Sequence, residues 1–279
     1  MFHALLSALL FPFLKSSLFL ISNWHYECSS FNYLFFYLPD KYSTSILGVN
    51  IIRNQGVFWE PGVLQVFLNI LLFLEAFVFK KSKYILVFTI IALVSTLSTT
   101  GMMLMFLILV VYFKDVLTKN ILFLPIAIIS LLSVYVITTD NVSNKLFGEG
   151  ITSFQVRLFD FVQPLGIVMQ HPLTGVGLDD QQYIELRNSI DYSISLDELN
   201  FTNIEKGSTN SIMFFLAASG IPATLLILSM LYKQAFITHK KKLFFLLIIM
   251  SLMTEPLLLK PFFIIFVMSG GIVLLNKFK

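Results

Sequence analysis

Five side chains in this sequence have the types and neighbours that chemistry needs: Arg53, Glu60, Arg157, His171 and Asn210. Arg53 and Glu60 share the stretch Arg53-Asn-Gln-Gly-Val-Phe-Trp-Glu60-Pro61-Gly62, which runs into an apolar segment. A planar guanidinium can grip two oxygens of an anion at once. A carboxylate at a helix start near an interface can be partly desolvated and serve as a base. The plainer reading is an Arg–Glu pair or an interfacial anchor, with Trp59 in an aromatic belt. Arg157 can likewise hold an anion, or can pair with Asp160 three residues on. His171 opens His-Pro-Leu-Thr-Gly-Val-Gly177, where imidazole can act as base or switch and glycines allow close backbone approach. A helix stop followed by a turn accounts for the same residues. Asn210 lies in Gly207-Ser-Thr-Asn210-Ser211, at the start of another apolar run. A helix N-terminus attracts anions, although capping by Ser208 or Thr209 explains the motif more simply.

Several chemistries find no support. No second histidine lies near His171 in sequence, so no metal is expected. The single cysteine, Cys28, allows neither an intramolecular disulfide nor a cysteine-based metal site. A Gly-rich phosphate loop ending in lysine is absent, which removes ATP-driven transport and any expected cofactor. The net charge of +3 and the lack of a basic stripe speak against nucleic acid.

The elements that position these residues belong in a membrane. Of 279 residues, 57% are hydrophobic and only 13% charged, phenylalanine alone accounts for 30, and the mean hydropathy is +0.83. A water-soluble domain carries about 25% charged residues. Apolar runs at 3–22, 62–79, 84–97, 101–113, 121–138, 211–232, 243–258 and 262–275 predict about eight crossings. The first lacks a basic leader and a cleavage site, so it reads as a retained helix rather than a signal peptide. Lys15 inside it is expected to snorkel to an interface or face the bundle interior. The stretch 84–113 would span about 45 Å as one helix, too long for a hydrocarbon core of about 30 Å. Lysines decide the matter: Lys80, Lys81 and Lys83 precede it and Lys114 and Lys119 follow it. Both groups reach the cytoplasm only if the chain turns back at Ser98-Thr99-Thr100-Gly101.

This topology places both termini and eleven of the sixteen lysines in the cytoplasm. It places 24–61 and the acidic segment 139–209 outside. Within that segment Phe154, Leu158, Phe161, Leu165 and Val168 recur at helical spacing, predicting an amphipathic helix on the bilayer, ended by His171-Pro172. A second helix is expected from Asp179 or Asp180 through Leu186. Gly220 and Pro222 should bend the late helix. Two carboxylates fall in apolar runs: Glu75 is expected to reach the cytoplasmic lysines and Glu255 to pair with Lys260. The expected fold is therefore an all-α polytopic transmembrane bundle, one integral membrane domain over 1–279, with the external loop 139–209 inside it.

The order of these motifs resembles a known family. An external Arg53 with Gly56-x-Phe-x-Glu60-Pro-Gly precedes a helix, and Ser98-Thr-Thr-Gly101 separates two short ones. Arg157 then precedes His171-Pro-Leu-x-Gly-Val-Gly177, and Thr209-Asn-Ser211 opens a helix carrying Gly220-Ile-Pro222. From about Val49 to Gly271 the chain resembles the O-antigen polymerase and O-antigen ligase superfamily, in particular the Wzy-type repeat-unit polymerases. The resemblance implies glycosyl transfer without metal or nucleotide at the external face of the bacterial inner membrane. The donor would be a glycan on undecaprenyl pyrophosphate. The acceptor would be another lipid-linked repeat unit for a polymerase, or a lipid A core sugar for a ligase. A flippase and a chain-length regulator of the same pathway are the implied partners. By the same resemblance Arg53 and Arg157 would hold the donor pyrophosphate, Glu60 or else His171 would be the base, and Asn210 would orient sugar or phosphate.

The chain departs from the family twice. Ligases of the family usually place a histidine beside the asparagine that opens the late helix; here that position is Thr209. Members commonly have several more N-terminal helices, so the chain reads as a compact member or the product of a truncated or internally started frame. The competing classes are an O-antigen ligase and a lipid-linked glycan transporter or flippase, against which the clustering of charges outside the membrane argues.

Overall fold

Capping and turn residues mark out the elements. In the computed structural model, residues 1–23, 26–37, 43–46, 49–117, 151–189 and 208–276 are described. The expected crossing at 121–138, the loop portions 139–150 and 190–207, and the side chains of Lys119, Lys277 and Lys279 lie outside the described residues. The chain divides into two compact units, 1–149 and 150–279.

The first unit begins with helix α1, Phe2–Leu14, followed by a short 3-10 turn at Lys15–Ser17. The single long helix expected over 3–22 is corrected here. The chain turns extended after Leu18 and forms β1 (Phe19–Asn23), β2 (Tyr26–Phe31) and β3 (Phe35–Tyr37), an antiparallel sheet in that order. A second hairpin pairs β4 (Ser43–Ile46) with β5 (Val49–Ile52). The expectation of an all-α chain is thus corrected to a mostly helical one. Aromatic and β-branched residues suit a pleated surface, and Asn32 and Tyr33, both at positive φ, turn β2 back into β3.

Helix α2, Pro61–Phe73, continues as a π-helical turn through Phe79. Glu60 precedes it in extended conformation and Pro61 occupies its first turn, where a missing N–H costs nothing. Helices α3 (Lys83–Ser95) and α4 (Thr99–Leu117) are separate, as the lysines require. The break falls at Thr96–Ser98, slightly earlier than expected. Leu97 takes φ 47° there, and Ser98 Oγ accepts the Gly101 N–H at 3.3 Å, capping α4. Helix α2 packs on α3 and α4, and α1 packs on α3. Glu75 is buried and accepts the Ser82 N–H, so it reaches the lysine-bearing turn through its backbone.

The second unit holds α5 (Ile151–Gln170), α6 (Asp180–Ser189), α7 (Ser211–Lys233), α8 (Lys241–Leu252) and α9 (Pro261–Leu275). Asp179 starts α6 as expected: its Oδ1 accepts the Gln181 N–H at 3.0 Å. Helices α8 and α9 pack on α7. Ser211 Oγ donates toward Leu252 O (2.8 Å) and Glu255 O (2.9 Å), tying the start of α7 to the turn after α8. Glu255 is buried while Lys260 is exposed.

Two helices, Pro61–Phe79 and Ser211–Lys233, are long and apolar enough to cross a membrane, and shorter apolar helices accompany them. Leu225, Leu226, Ile265, Met268 and Ile272 all point outward. Helices apolar on the outside as well as the inside suit lipid rather than water.

Candidate functional site

The candidate residues divide between the units: Arg53 and Glu60 in the first, and Arg157, His171 and Asn210 in the second.

In the first unit, the segment after β5 is riveted in place by Asn54. Its Nδ2 donates to Ala4 O of α1 (2.7 Å) and to Ser95 Oγ of α3 (2.9 Å). Its own N–H donates to Ser95 O at 3.0 Å, and its Oδ1 accepts the Gly56 N–H at 3.0 Å. Next to it, Arg53 Nε donates to Thr96 O at 3.1 Å, where α3 ends. The broken helix pair predicted from the lysines therefore has a second role: the Thr96 carbonyl at the end of α3 orients Arg53. Glu60 is half-buried, and its backbone carbonyl accepts the Val63 N–H (3.2 Å) and the Leu64 N–H (3.3 Å).

In the second unit a buried polar knot joins three elements. Asp160, on α5, accepts from Arg187 Nη1 of α6 at 3.4 Å. It also accepts the Thr209 N–H at 2.8 Å and the Thr209 hydroxyl, just before α7. Arg187 is 0% exposed, and its guanidinium lies 5.3 Å from the Phe159 ring centre and 5.7 Å from that of Tyr183. Burial raises the Asp160 carboxyl above its ordinary pKa, against the Thr209 hydrogen bonds and the Arg187 charge, with Arg157 adding a smaller attraction. Burial also pushes the Tyr183 hydroxyl up to about 12. Asp160 thus has Arg187 as its salt-bridge partner at 3.4 Å, and Arg157, the partner considered from spacing, adds its charge to the same carboxylate. Arg157 is half-buried one turn before this knot.

Asn210 is buried, and its Oδ1 accepts the Met213 N–H at 3.0 Å. It is the N-cap of α7, a role expected of Ser208 or Thr209. Ser208 instead braces Asn210, its Oγ accepting the Asn210 N–H at 3.2 Å, and Thr209 serves Asp160.

His171 ends α5, as its proline neighbour predicts, and its ring is exposed. The residues after it dock onto the bend in α7. Gly220 breaks helical geometry there with φ 76°, and Pro222 has no N–H to give Ala218 O. The carbonyls so freed are met from outside the helix: Val176 N–H donates to Ala217 O (3.1 Å) and Gly177 N–H to Ala218 O (2.8 Å). Ile221 N–H, also released, donates to Pro172 O at 2.8 Å. A Cβ on Gly175 would lie 2.4 Å from Ala218 backbone atoms, and one on Gly220 would lie 2.4 Å from Leu173 O. Two motifs separated by more than forty residues are thus two halves of one backbone junction.

Sequence reasoning missed Arg187, Tyr183 and Asn54. The first two had a faint signal, since Tyr183 and Arg187 stand four apart on one face of α6. Asn54 had none. Among the described residues no group of three or more His, Cys, Asp or Glu could hold a metal ion.

A profile of the O-antigen ligase family, Wzy_C, matches residues 84–228, from α3 through the bend in α7. No curated protein and no solved structure matches the chain. The matched region contains the α3–α4 break, Arg157, the Asp160–Arg187 knot and the junction between residues 172–177 and α7, and covers more than half of the 279 residues. On that match, and with its apolar helices, the chain is a membrane protein that belongs to the O-antigen ligase family.

Proposed function

We propose that the protein polymerises lipid-linked oligosaccharide repeat units at the external face of the bacterial inner membrane, with both termini in the cytoplasm and no metal or nucleotide. The observation that carries this reading is the family match across residues 84–228. In the proposed reaction an acceptor sugar hydroxyl attacks the anomeric carbon of a glycan on undecaprenyl pyrophosphate. The new C–O bond forms as the bond to pyrophosphate breaks, and the hydroxyl proton passes to a base. Arg53, oriented by the Thr96 carbonyl, and Arg157 are the arginines proposed to hold phosphate oxygens, where guanidinium donors would offset the charge building on the leaving group. Glu60 is the first candidate base and His171 the second. The Asn210 oxygen is engaged in capping, which leaves its amide N–H groups for the proposed contact with sugar or phosphate.

Helix α5 supports an interfacial placement. It buries Asp160 and Gln163 against its own unit, while Leu158 (47% exposed) and Phe161 (40%) face outward. That arrangement suits a helix lying against a bilayer. Polymerase is preferred to ligase because of Thr209. Where family ligases place a histidine, the Thr209 hydroxyl donates to Asp160 and accepts no proton.

The test is acceptor choice. Purified protein is given lipid-pyrophosphate-linked repeat units alone, or with lipid A core, in the absence of ATP and metal. A polymerase yields a ladder from repeat units alone. A single transfer that requires lipid A core identifies a ligase instead, and translocation without any new glycosidic bond identifies a flippase.

A further inference from the structure

The turn that joins α7 to α8 is basic. Lys233, Lys240, Lys241 and Lys242 fall within ten residues, and no Asp or Glu occurs between Glu205 and Glu255. Among the described residues no carboxylate pairs with Lys233, Lys241 or Lys242. Two of these ammonium groups gather on one ring: Lys233 Nζ lies 5.8 Å and Lys241 Nζ 5.7 Å from the centre of Tyr232. Tyr232 packs in turn against Phe245 of α8, edge to face at 5.1 Å. Contact with a ring still leaves ammonium N–H groups for oxygen acceptors. Gln234, 2% exposed, closes the turn: its Nε2 donates to Ile237 O at 2.8 Å and its Oε1 accepts the Ile237 N–H at 2.9 Å. Phe236 inside that closure is 58% exposed, and its ring meets Phe266 of α9 edge to face at 5.6 Å. Ile265, Met268 and Ile272 continue the outward apolar face along α9.

We infer that this turn binds the headgroup of an anionic phospholipid. The phosphodiester sits between Lys233 and Lys241 beside Tyr232, and Phe236 lies among the first acyl carbons. Cations at the phosphates with an aromatic ring just below them is the composition that a bilayer interface selects. A soluble polyanion would meet the lysines but leave the outward face of Phe236 in water. Phosphatidylcholine offers the same phosphate with its charge offset by choline, so the lysines discriminate by net charge. The bound lipid anchors the end of α7 opposite Asn210, the residue that caps its start. The inference goes beyond the proposed reaction: it needs no glycan, and it holds for whichever leaflet the turn faces.

The experiment titrates the full chain in detergent with phosphatidylglycerol or phosphatidylcholine and reads the first bound lipid by native mass spectrometry, with folding verified by thermal unfolding. The parent should bind phosphatidylglycerol about tenfold more tightly than phosphatidylcholine, a preference that shrinks as salt rises. Lys233→Gln with Lys241→Gln should abolish that preference, while arginine at both positions keeps it. Phe236→Ser should weaken phosphatidylglycerol severalfold with no change in charge. Lys81→Gln with Lys83→Gln removes the same charge from the first unit and should leave the preference intact. Equal loss in that control overturns the inference, because net charge alone would then explain the binding. A parent without preference overturns it too. So does displacement of the lipid by equimolar inorganic phosphate or by an oligoglutamate peptide, which would identify a free phosphate or an acidic protein segment as the occupant. The readout contains no glycan, so a missing polymer ladder leaves this inference standing, and a lost lipid preference leaves the polymerase standing.

Discussion

Arg187 is the most constrained charge among the described side chains of the second unit. It is buried between Phe159 and Tyr183 and faces Asp160, which also takes both donors of Thr209. Removing one partner of such a pair leaves a charge stranded in low dielectric. Arg187→Met and Asp160→Asn should each cost about 3–5 kcal/mol, with the double variant losing much less than the sum. Chemical denaturation of the four proteins checks this, and additive costs would show that the pair does not act as a unit. Tyr183 reports on the same burial. Because its hydroxyl is raised to about 12 when folded, it carries no pH-dependent penalty below about pH 10, and stability falls as pH rises from there through about 12. Subtracting the phenolate titration of Tyr183→Phe from that of the parent should leave one tyrosine with a midpoint near 12. A midpoint near 10 would mean that water reaches the knot. Beyond the four-residue spacing of Tyr183 and Arg187, none of this was legible in the sequence, because Asp160, Arg187 and Thr209 are far apart in the chain and periodicity reports only neighbours along it.

At the scale of elements, most helices were legible from apolar runs, lysine positions and capping residues. The α3–α4 break followed from helix length and lysine positions, and the α5 stop from His171-Pro172. What failed was the segment 15–52, where β1 to β5 stand in place of helix and loop. A short apolar run does not distinguish strand from helix, and strand pairing is decided by partners elsewhere. Gly175 and Gly177 were read as giving a turn or admitting close backbone approach, and Gly220 as bending the late helix. Their stronger reason is the junction they share, where Gly175 and Gly220 admit backbone against backbone. Gly175→Ala and Gly220→Ala should therefore each destabilise by at least about 2 kcal/mol. Thr174→Ala, at an exposed side chain beside them, should stay within about 0.5 kcal/mol. Thermal unfolding in detergent measures all three, and a tolerated alanine at Gly175 would contradict the junction. His171→Ala should leave stability intact, since the backbone rather than the ring makes the turn. Any loss of polymer formation in that variant then belongs to the imidazole.

For the whole molecule, membrane residence, the family and its order of motifs were readable because composition and spacing carry them. The positions of chemistry were only partly readable. Arg53 and Arg157 were found by type, but what holds Arg53 in place, the Thr96 carbonyl, comes from long-range packing. Arg53 and Arg157 are the physical core of the proposed reaction, and lysine should replace either poorly because a point charge lacks the fork. Arg157 lies inside the matched family region, and the salt-bridge contact of Asp160 is to Arg187. The most direct measurement is therefore the polymer ladder made by purified Arg157→Ala from lipid-pyrophosphate-linked repeat units, beside the parent and Arg157→Lys, with folding verified by thermal unfolding. The account predicts a ladder from the parent, none from Arg157→Ala and at most a trace from Arg157→Lys. A full ladder from folded Arg157→Ala would contradict it.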